Sequence, residues 1–431
     1  MALILSIWLI LIILLAFFNI KGCICLYMAY LILVPFLNIN IGGINLQYNL
    51  VNTLLLLGFI FKYQKRLKNI DYQIFKPFIF LFVFYLILIP FQNFSLSYSL
   101  NAWRYNVMSS ILFPFVTWNV FRFDNSLYKP LKYTFIICIS IALIYGLVLT
   151  SMPGINPYLM MIMPINGDEF NDLYAFSDDG RVFGRISSVF GHPMTFGLFL
   201  SISSIYLYHI RKSLKYNIGF ILLFLCLLNI LFCGVRSAIG STIIGFVVYI
   251  ILSRKIRLAI GIILMTICLI QIVQLIPEMN NYVSSITDFN NKKQSINGSS
   301  IDMRMEQLNG ALNEIETCPF VGKGYGWVKH YQETKGDHPV LLAFESLIFV
   351  SLCDNGFLGI IAWLLSIYLC YKQCRKYKEK WKILFTLYVT YIVYSCITGE
   401  YGYLKYTIIF YTILFIDIYS TNKFEHNKEN N

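Results

Sequence analysis

The residues best suited to chemistry are four arginines, two carboxylates, two histidines and a lysine, set in or beside polar stretches of an otherwise apolar chain. Arg181 and Arg185 lead into the string Ile186-Ser-Ser-Val-Phe-Gly-His192-Pro193, Arg236 sits in the tight turn Cys233-Gly-Val-Arg-Ser-Ala, and Arg304 lies in the longest polar segment. A guanidinium is planar, binds phosphate oxygens in pairs and keeps its charge near lipid. Several of them converging on one cavity would suit a diphosphate, whereas any single one also reads as an interfacial anchor. Glu345 and Asp354 are the carboxylate candidates: an acid beside a partly dry cavity has a raised pKa and can accept a proton from a hydroxyl. Pairing with one of the arginines is the structural alternative for both. His338 is a competing base, and His192, followed by a helix-starting proline, reads equally as a helix-end residue or a site residue. Lys323 lies in Gly322-Lys-Gly-Tyr-Gly, which resembles a phosphate loop but has neither a preceding strand nor a Walker pattern after it. Contact with phosphate is still open to that lysine.

The elements that must position these residues follow from composition. Of 431 residues, 58% are hydrophobic and 13% charged. That is about 250 apolar residues against roughly 20 per bilayer-spanning helix, enough for about 12 spans. Too little polar surface remains for a soluble enzyme or a disordered chain, and the runs are continuous where barrel strands would alternate. The expectation is an all-α polytopic membrane protein, one integral domain over residues 1–431, with about 12–13 transmembrane helices. Spans are expected near 3–20, 24–39, 45–62, 75–92, 106–120, 132–152, 188–209, 216–233, 237–253, 257–276, 345–370, 382–398 and 403–419. The net charge of +12 would suggest nucleic acid in a soluble protein, but here the basic residues cluster in alternate short loops between apolar runs. By the positive-inside rule these loops are cytoplasmic, which puts the C-terminus inside and the N-terminus outside. Eleven cysteines without a CxxC pair, most of them within apolar runs, indicate neither a disulfide framework nor a zinc site.

Two segments, 153–187 and 277–340, are too long and polar to be turns, and the charge map puts both outside. Long loops on one face of a helical scaffold are usually functional. Within the second, Ser299 and Asp302 have capping-box spacing, and Ile301, Met305, Leu308, Leu312 and Ile315 recur at helical intervals. An amphipathic helix over 301–316 follows, closed by Pro319 and the glycines 322, 324 and 326. Arg304 then lies on or beside its buried face and needs an anionic partner. Counting back from Lys372 puts the outer membrane boundary near residue 352, with Asp354 just inside it. Glu345 would stand about 13 Å above Asp354 if the helix continued.

With these residues assembled, the chain resembles the O-antigen ligase/polymerase superfamily over roughly residues 181–370. The resemblance rests on Arg185…Ser188-Val-Phe-Gly-His-Pro, Gly234-Val-Arg236-Ser-Ala, Arg304…Ala311…Ile315…Pro319-x-x-Gly322-x-Gly324, and Asp354-Asn-Gly356-x-x-Gly359. It implies a GT-C-like fold and a glycan carried on undecaprenyl diphosphate in a bacterial cytoplasmic membrane. It also implies arginines holding the diphosphate, inverting transfer at the outer face without metal or cofactor, and in some members a chain-length regulator as partner. Ligase members have a His-Asn pair about eleven residues before the glycine matching Gly356, where this chain has Glu345-Ser346. That departure favours a repeat-unit polymerase over a ligase. A non-enzymatic lipid-linked oligosaccharide flippase is the rival of another class, disfavoured because the spans are nearly free of charge.

Overall fold

A computed structural model of the chain describes every residue except 35–37, 42–43, 153, 167–184, 255–270, 272–300, 378–379, 400–402 and 430–431. It is a polytopic helical membrane protein. Six helices among the described residues are long and apolar enough to cross a bilayer, and three shorter apolar helices precede or join them. In chain order the helices are α1 (Ala2–Phe18), α2 (Ile20–Leu33), α3 (Tyr48–Lys62), α4 (Lys76–Leu88), α5 (Leu96–Phe123), α6 (Tyr128–Leu149), α7 (Pro157–Asn166) and α8 (Pro193–Ile210). They continue with α9 (Ile218–Phe232), α10 (Arg236–Ser253), α11 (Ile301–Glu314), α12 (Trp327–Lys335), α13 (Leu347–Cys374), α14 (Trp381–Thr398) and α15 (Leu404–Glu429). Each expected span within the described residues coincides with one of these helices, while the span at 257–276 lies almost wholly outside them.

Apolar runs become helices here because a bilayer leaves backbone N–H and C=O groups no other partner. Leu3, Ile4, Ile7 and Phe18 on α1 and Ile137, Ile141 and Ile144 on α6 point outward, as lipid-facing residues do. Packing joins α10 to α14 and α8, α4 to α13, α5 to α3 and α15, and α2 to α1 and α6. The break between α1 and α2 falls at Asn19, earlier than the Lys21-Gly22 pair, because the Asn19 side chain accepts from the Gly22 N–H and caps α2.

The all-α scaffold carries one short hairpin besides its helices. Strands β1 (Asn38–Ile41) and β2 (Ile44–Gln47) form a short antiparallel hairpin between α2 and α3, with Asn38 opposite Gln47 and Ile41 opposite Ile44. Alternating Asn and Ile favours this local pairing over extending either span.

At the basic end, acids neutralise part of the charge. Lys21 pairs with Asp124 at 2.8 Å and Arg122 with Asp71 at 3.6 Å. Asp417 of α15 accepts from Lys132 at 2.6 Å and Tyr128 at 2.7 Å and meets His209 at 3.1 Å, tying α15 to α6 and α8. The opposite end carries α11 and α12, which share a small apolar core with the start of α13: Ala311, Ile315, Val328, Leu341, Phe344, Phe349, Leu352 and Cys353.

Candidate functional site

The site begins with a broken helix. Inside α13, Gly356 adopts φ 62°, ψ −158°, far from helical values. The interrupted backbone pairs with the strap 319–326 instead. Phe357 and Leu358 N–H donate to the carbonyls of Pro319 and Phe320, and Lys323 and Gly324 N–H donate to those of Cys353 and Asp354. A Cβ on Gly356 would stand 2.5 Å from Phe320 backbone atoms, so only glycine fits. Gln92 completes the joint: its amide donates to the carbonyls of Val321 and Asp354, and its oxygen accepts from Tyr325 N–H. Non-helical backbone at this depth is tolerated where protein buries it or a cavity adjoins it.

Asp354 is held in that joint. Its two oxygens accept from Gly326 N–H at 3.0 Å and Val328 N–H at 2.8 Å. A carboxylate at that position caps α12 from another helix, satisfying first-turn N–H groups and the positive end of the dipole.

Arg304 forms a second node. Its guanidinium donates to the Glu345 carbonyl at 2.8 Å, the Glu345 carboxylate at 3.4 Å, Gln307 Oε1 at 3.1 Å and the Ile397 carbonyl at 3.1 Å. Burial draws the guanidinium pKa below its ordinary value, opposed by the carboxylate of Glu345. Glu345 does not stand on a continued helix as expected, because Ser346 caps α13 by accepting from Ile348 N–H and donates to the Cys396 carbonyl. Arg304 lies on the buried side of α11, but that side is rotated from the expected one. Gln307, Ala311 and Ile315 are buried, whereas Met305 and Leu312 are exposed. Gly310 permits the approach: a Cβ there would meet Val340 at 2.8 Å.

The same end of α14 is reached from α8 and α10. Tyr394, one turn before Ile397, donates to the Met194 carbonyl at 2.5 Å, and Gly197 lies between the Tyr394 hydroxyl and the side chains of Val235 and Ala238. Met194 follows His192 by two residues and Val235 precedes Arg236 by one, so α14 ends among the starts of both helices. Arg236 opens α10, and His192 caps α8, accepting from Met194 N–H at 3.1 Å. Arg185 bears electrostatically on His192. The segment from Arg185 is pinned by Asn156, which donates to the Ser188 carbonyl, and by Ser188, which donates to the Ala142 carbonyl.

A cavity of about 680 Å³ opens between α4, α5, α12, α13 and the start of α15. Its wall includes Asp354 and Asn355 at the helix break, Lys329 and Glu333 on α12, Lys405 on α15 and Tyr105 on α5. Lys405 lies 4.5 Å above the Tyr48 ring and donates to its hydroxyl at 3.3 Å. Leu347, two residues after Glu345, is also in the wall, whereas Arg304 and Glu345 themselves are not.

The structure thus joins Arg304 to Glu345, sets Arg185 within electrostatic reach of His192, and places Arg236 at the start of α10, which packs along α14. Asp354 borders the cavity in a capping role. His338 and Lys323 stand apart, on Glu314 at the far end of α11. His338 Nδ1 accepts from Val340 and Leu341 N–H, which leaves its Nε2–H to donate to Glu314. Both ring nitrogens are occupied by structural bonds. Arg181 lies outside the described residues, as does 277–300 of the large loop. Sequence reasoning passed over Lys405, Lys329 and Glu333. Lys405 alone carried a signal, as a cation opening an apolar span at the end opposite the basic loops.

Residues 221–364, about a third of the chain, match the family described as O-antigen ligase. The match runs from α9 through the α13 break and is consistent with the O-antigen ligase/polymerase superfamily, whose members are glycosyltransferase-like enzymes. Arg236, Arg304, Glu345 and Asp354 all fall inside it. No curated protein matches the chain.

Proposed function

We propose that this protein polymerises repeat units of a surface polysaccharide, O-antigen or capsule, at the outer face of a bacterial cytoplasmic membrane. The observation that carries the reading is the group at the end of α14. Arg304 and Glu345 meet there, and the helix starts bearing Arg236 and His192 adjoin it; Leu347, two residues after Glu345, enters the wall of a cavity large enough for sugar residues. The substrates are two glycans on undecaprenyl diphosphate. A hydroxyl of one attacks the anomeric carbon of the other from the face opposite the diphosphate, and the new glycosidic bond forms with inversion. The carbon–oxygen bond to the carrier breaks, and the electron pair leaves on the diphosphate, where Arg185, Arg236 and Arg304 stabilise the growing charge. Glu345 takes the hydroxyl proton. In the substrate-free arrangement the carboxylate and the guanidinium occupy each other; an arriving diphosphate competes for Arg304 and frees Glu345 for that task.

Arg304→Ala or Arg236→Ala is expected to abolish long chains while the protein still inserts, leaving single repeats on their acceptor. Wild-type chain length in both variants refutes the reading. Ligation to a lipid A core is the second reading, favoured by the description of the matched family. Glu345-Ser346 at the position of the ligase His-Asn pair argues against it. A strain lacking a ligase accumulates lipid-linked polymer and places nothing on the core, whereas one lacking a polymerase still places single repeats there. Glycosyl transfer by purified protein separates both from a flippase.

A further inference from the structure

Of the charged groups in the wall of the 680 Å³ cavity, one lacks a countercharge. Lys329 has Glu333 at 3.7 Å, and Glu333 also accepts from the Tyr98 hydroxyl at 2.9 Å. Both oxygens of Asp354 are occupied by the N–H groups of Gly326 and Val328. Lys405 has no carboxylate paired with it among the described residues. Its ammonium lies over the Tyr48 and Tyr406 rings, 4.5 and 5.0 Å from their centres, and donates to the Tyr48 hydroxyl. It is half-buried in the first turn of α15, where the helix dipole disfavours positive charge. Such a cation beside a cavity within a membrane protein marks the place of an anionic substrate group. We propose that Lys405 holds the carboxylate of an acidic sugar, a uronic-acid-type residue of the glycan repeat, in this cavity. The inference rests on the polymerase reading and names the class of its substrate.

The rest of the wall suits a sugar. Tyr85, Tyr105, Tyr325 and Trp363 line it, and aromatic rings pack against the C–H faces of pyranoses. Asn106 donates to the Tyr325 hydroxyl at 2.8 Å and so orients that side chain before a ligand arrives. Ser351, 3% exposed, is also in the wall, and its hydroxyl has no hydrogen-bond partner among the described residues. Buried polar groups are normally paired, so this hydroxyl is suited to a hydroxyl of the ligand. A lone ammonium fits one carboxylate better than a diphosphate. Paired phosphate oxygens call for a guanidinium fork, and no arginine lines this cavity among the described residues.

The test titrates full-length purified protein in detergent with the repeat-unit oligosaccharide released from the surface glycan of the cell that makes it. A second titration uses the same oligosaccharide after its carboxylates are reduced to primary alcohols. The acidic form is expected to bind about tenfold or more tightly, as a hydrogen bond between charged groups contributes. Lys405→Gln should bind both forms alike, as wild type binds the reduced one. Lys405→Arg should keep the preference, which separates lost charge from lost fold. Lys335→Gln, which removes an exposed cation of α12 outside the cavity, should bind as wild type. A repeat unit without a carboxylate, no preference between the two forms in wild type, or a preference that survives in Lys405→Gln would each overturn the proposal. None of these outcomes bears on polymerisation itself, which Arg304→Ala and Arg236→Ala test separately.

Discussion

Glu345 and His192 carry opposite kinds of evidence at the scale of single residues. Glu345 is partly exposed and bound to Arg304 through both carbonyl and carboxylate. Glu345→Gln keeps an oxygen for the guanidinium but cannot take a proton. Transfer by purified protein is expected to fall about 10²–10⁴-fold with little change in melting temperature; an undiminished rate removes Glu345 as proton acceptor. His192 is half-buried, and its Nδ1 accepts from Met194 N–H, capping α8. His192→Ala removes that acceptor and should lower the melting temperature in detergent by an amount corresponding to about 0.5–2 kcal/mol, whereas His192→Asn, which keeps an acceptor, should lose much less; equal losses in the two variants would show that the cap is not what the residue contributes.

Among the elements, the α13 break decides the most. Its cost is local backbone strain, offset by the hydrogen bonds that the 319–326 strap returns to the exposed N–H and C=O groups. Gly356→Ala adds a Cβ 2.5 Å from Phe320 at a φ of 62°. Such strain alone costs on the order of 1–3 kcal/mol. The variant should melt lower and be cut faster by protease in the strap, while Gly240→Ala, with open space around its Cβ, should be neutral or slightly stabilising. If the two variants melt alike, the joint is not the constraint described. The break was partly legible as Asp354-Asn-Gly356 in an apolar run, and the strap as a proline followed by spaced glycines. Their docking was not legible, because it pairs backbone groups 30 to 38 residues apart and no side-chain pattern encodes that.

For the whole molecule, the proposed orientation sets α11 and α12 outside and the Asp417 network inside. Met305 on α11 and Tyr216 before α9 are both exposed, at 55% and 88%. A membrane-impermeant maleimide on intact cells should add label to Met305→Cys over the parent protein. Tyr216→Cys should react only after permeabilisation, and the reverse pattern would invert the topology. Charge placement made this expectation possible because orientation depends on loop composition, not on packing.

What the sequence determined unaided is whatever a single helix needs from its own residues: the apolar runs that become spans, the alternation of basic loops, a helix beginning at residue 301 in a polar segment. Tertiary structure decided which side of α11 is buried, that Glu345 holds Arg304 while His338 and Lys323 share Glu314, and that Asp354 caps α12. It also decided that Lys329, Glu333 and Lys405 face one cavity. The reason is range. Hydropathy and capping act over a few residues of one segment, whereas a site in a helical bundle is made of side chains whose proximity depends on how distant helices pack.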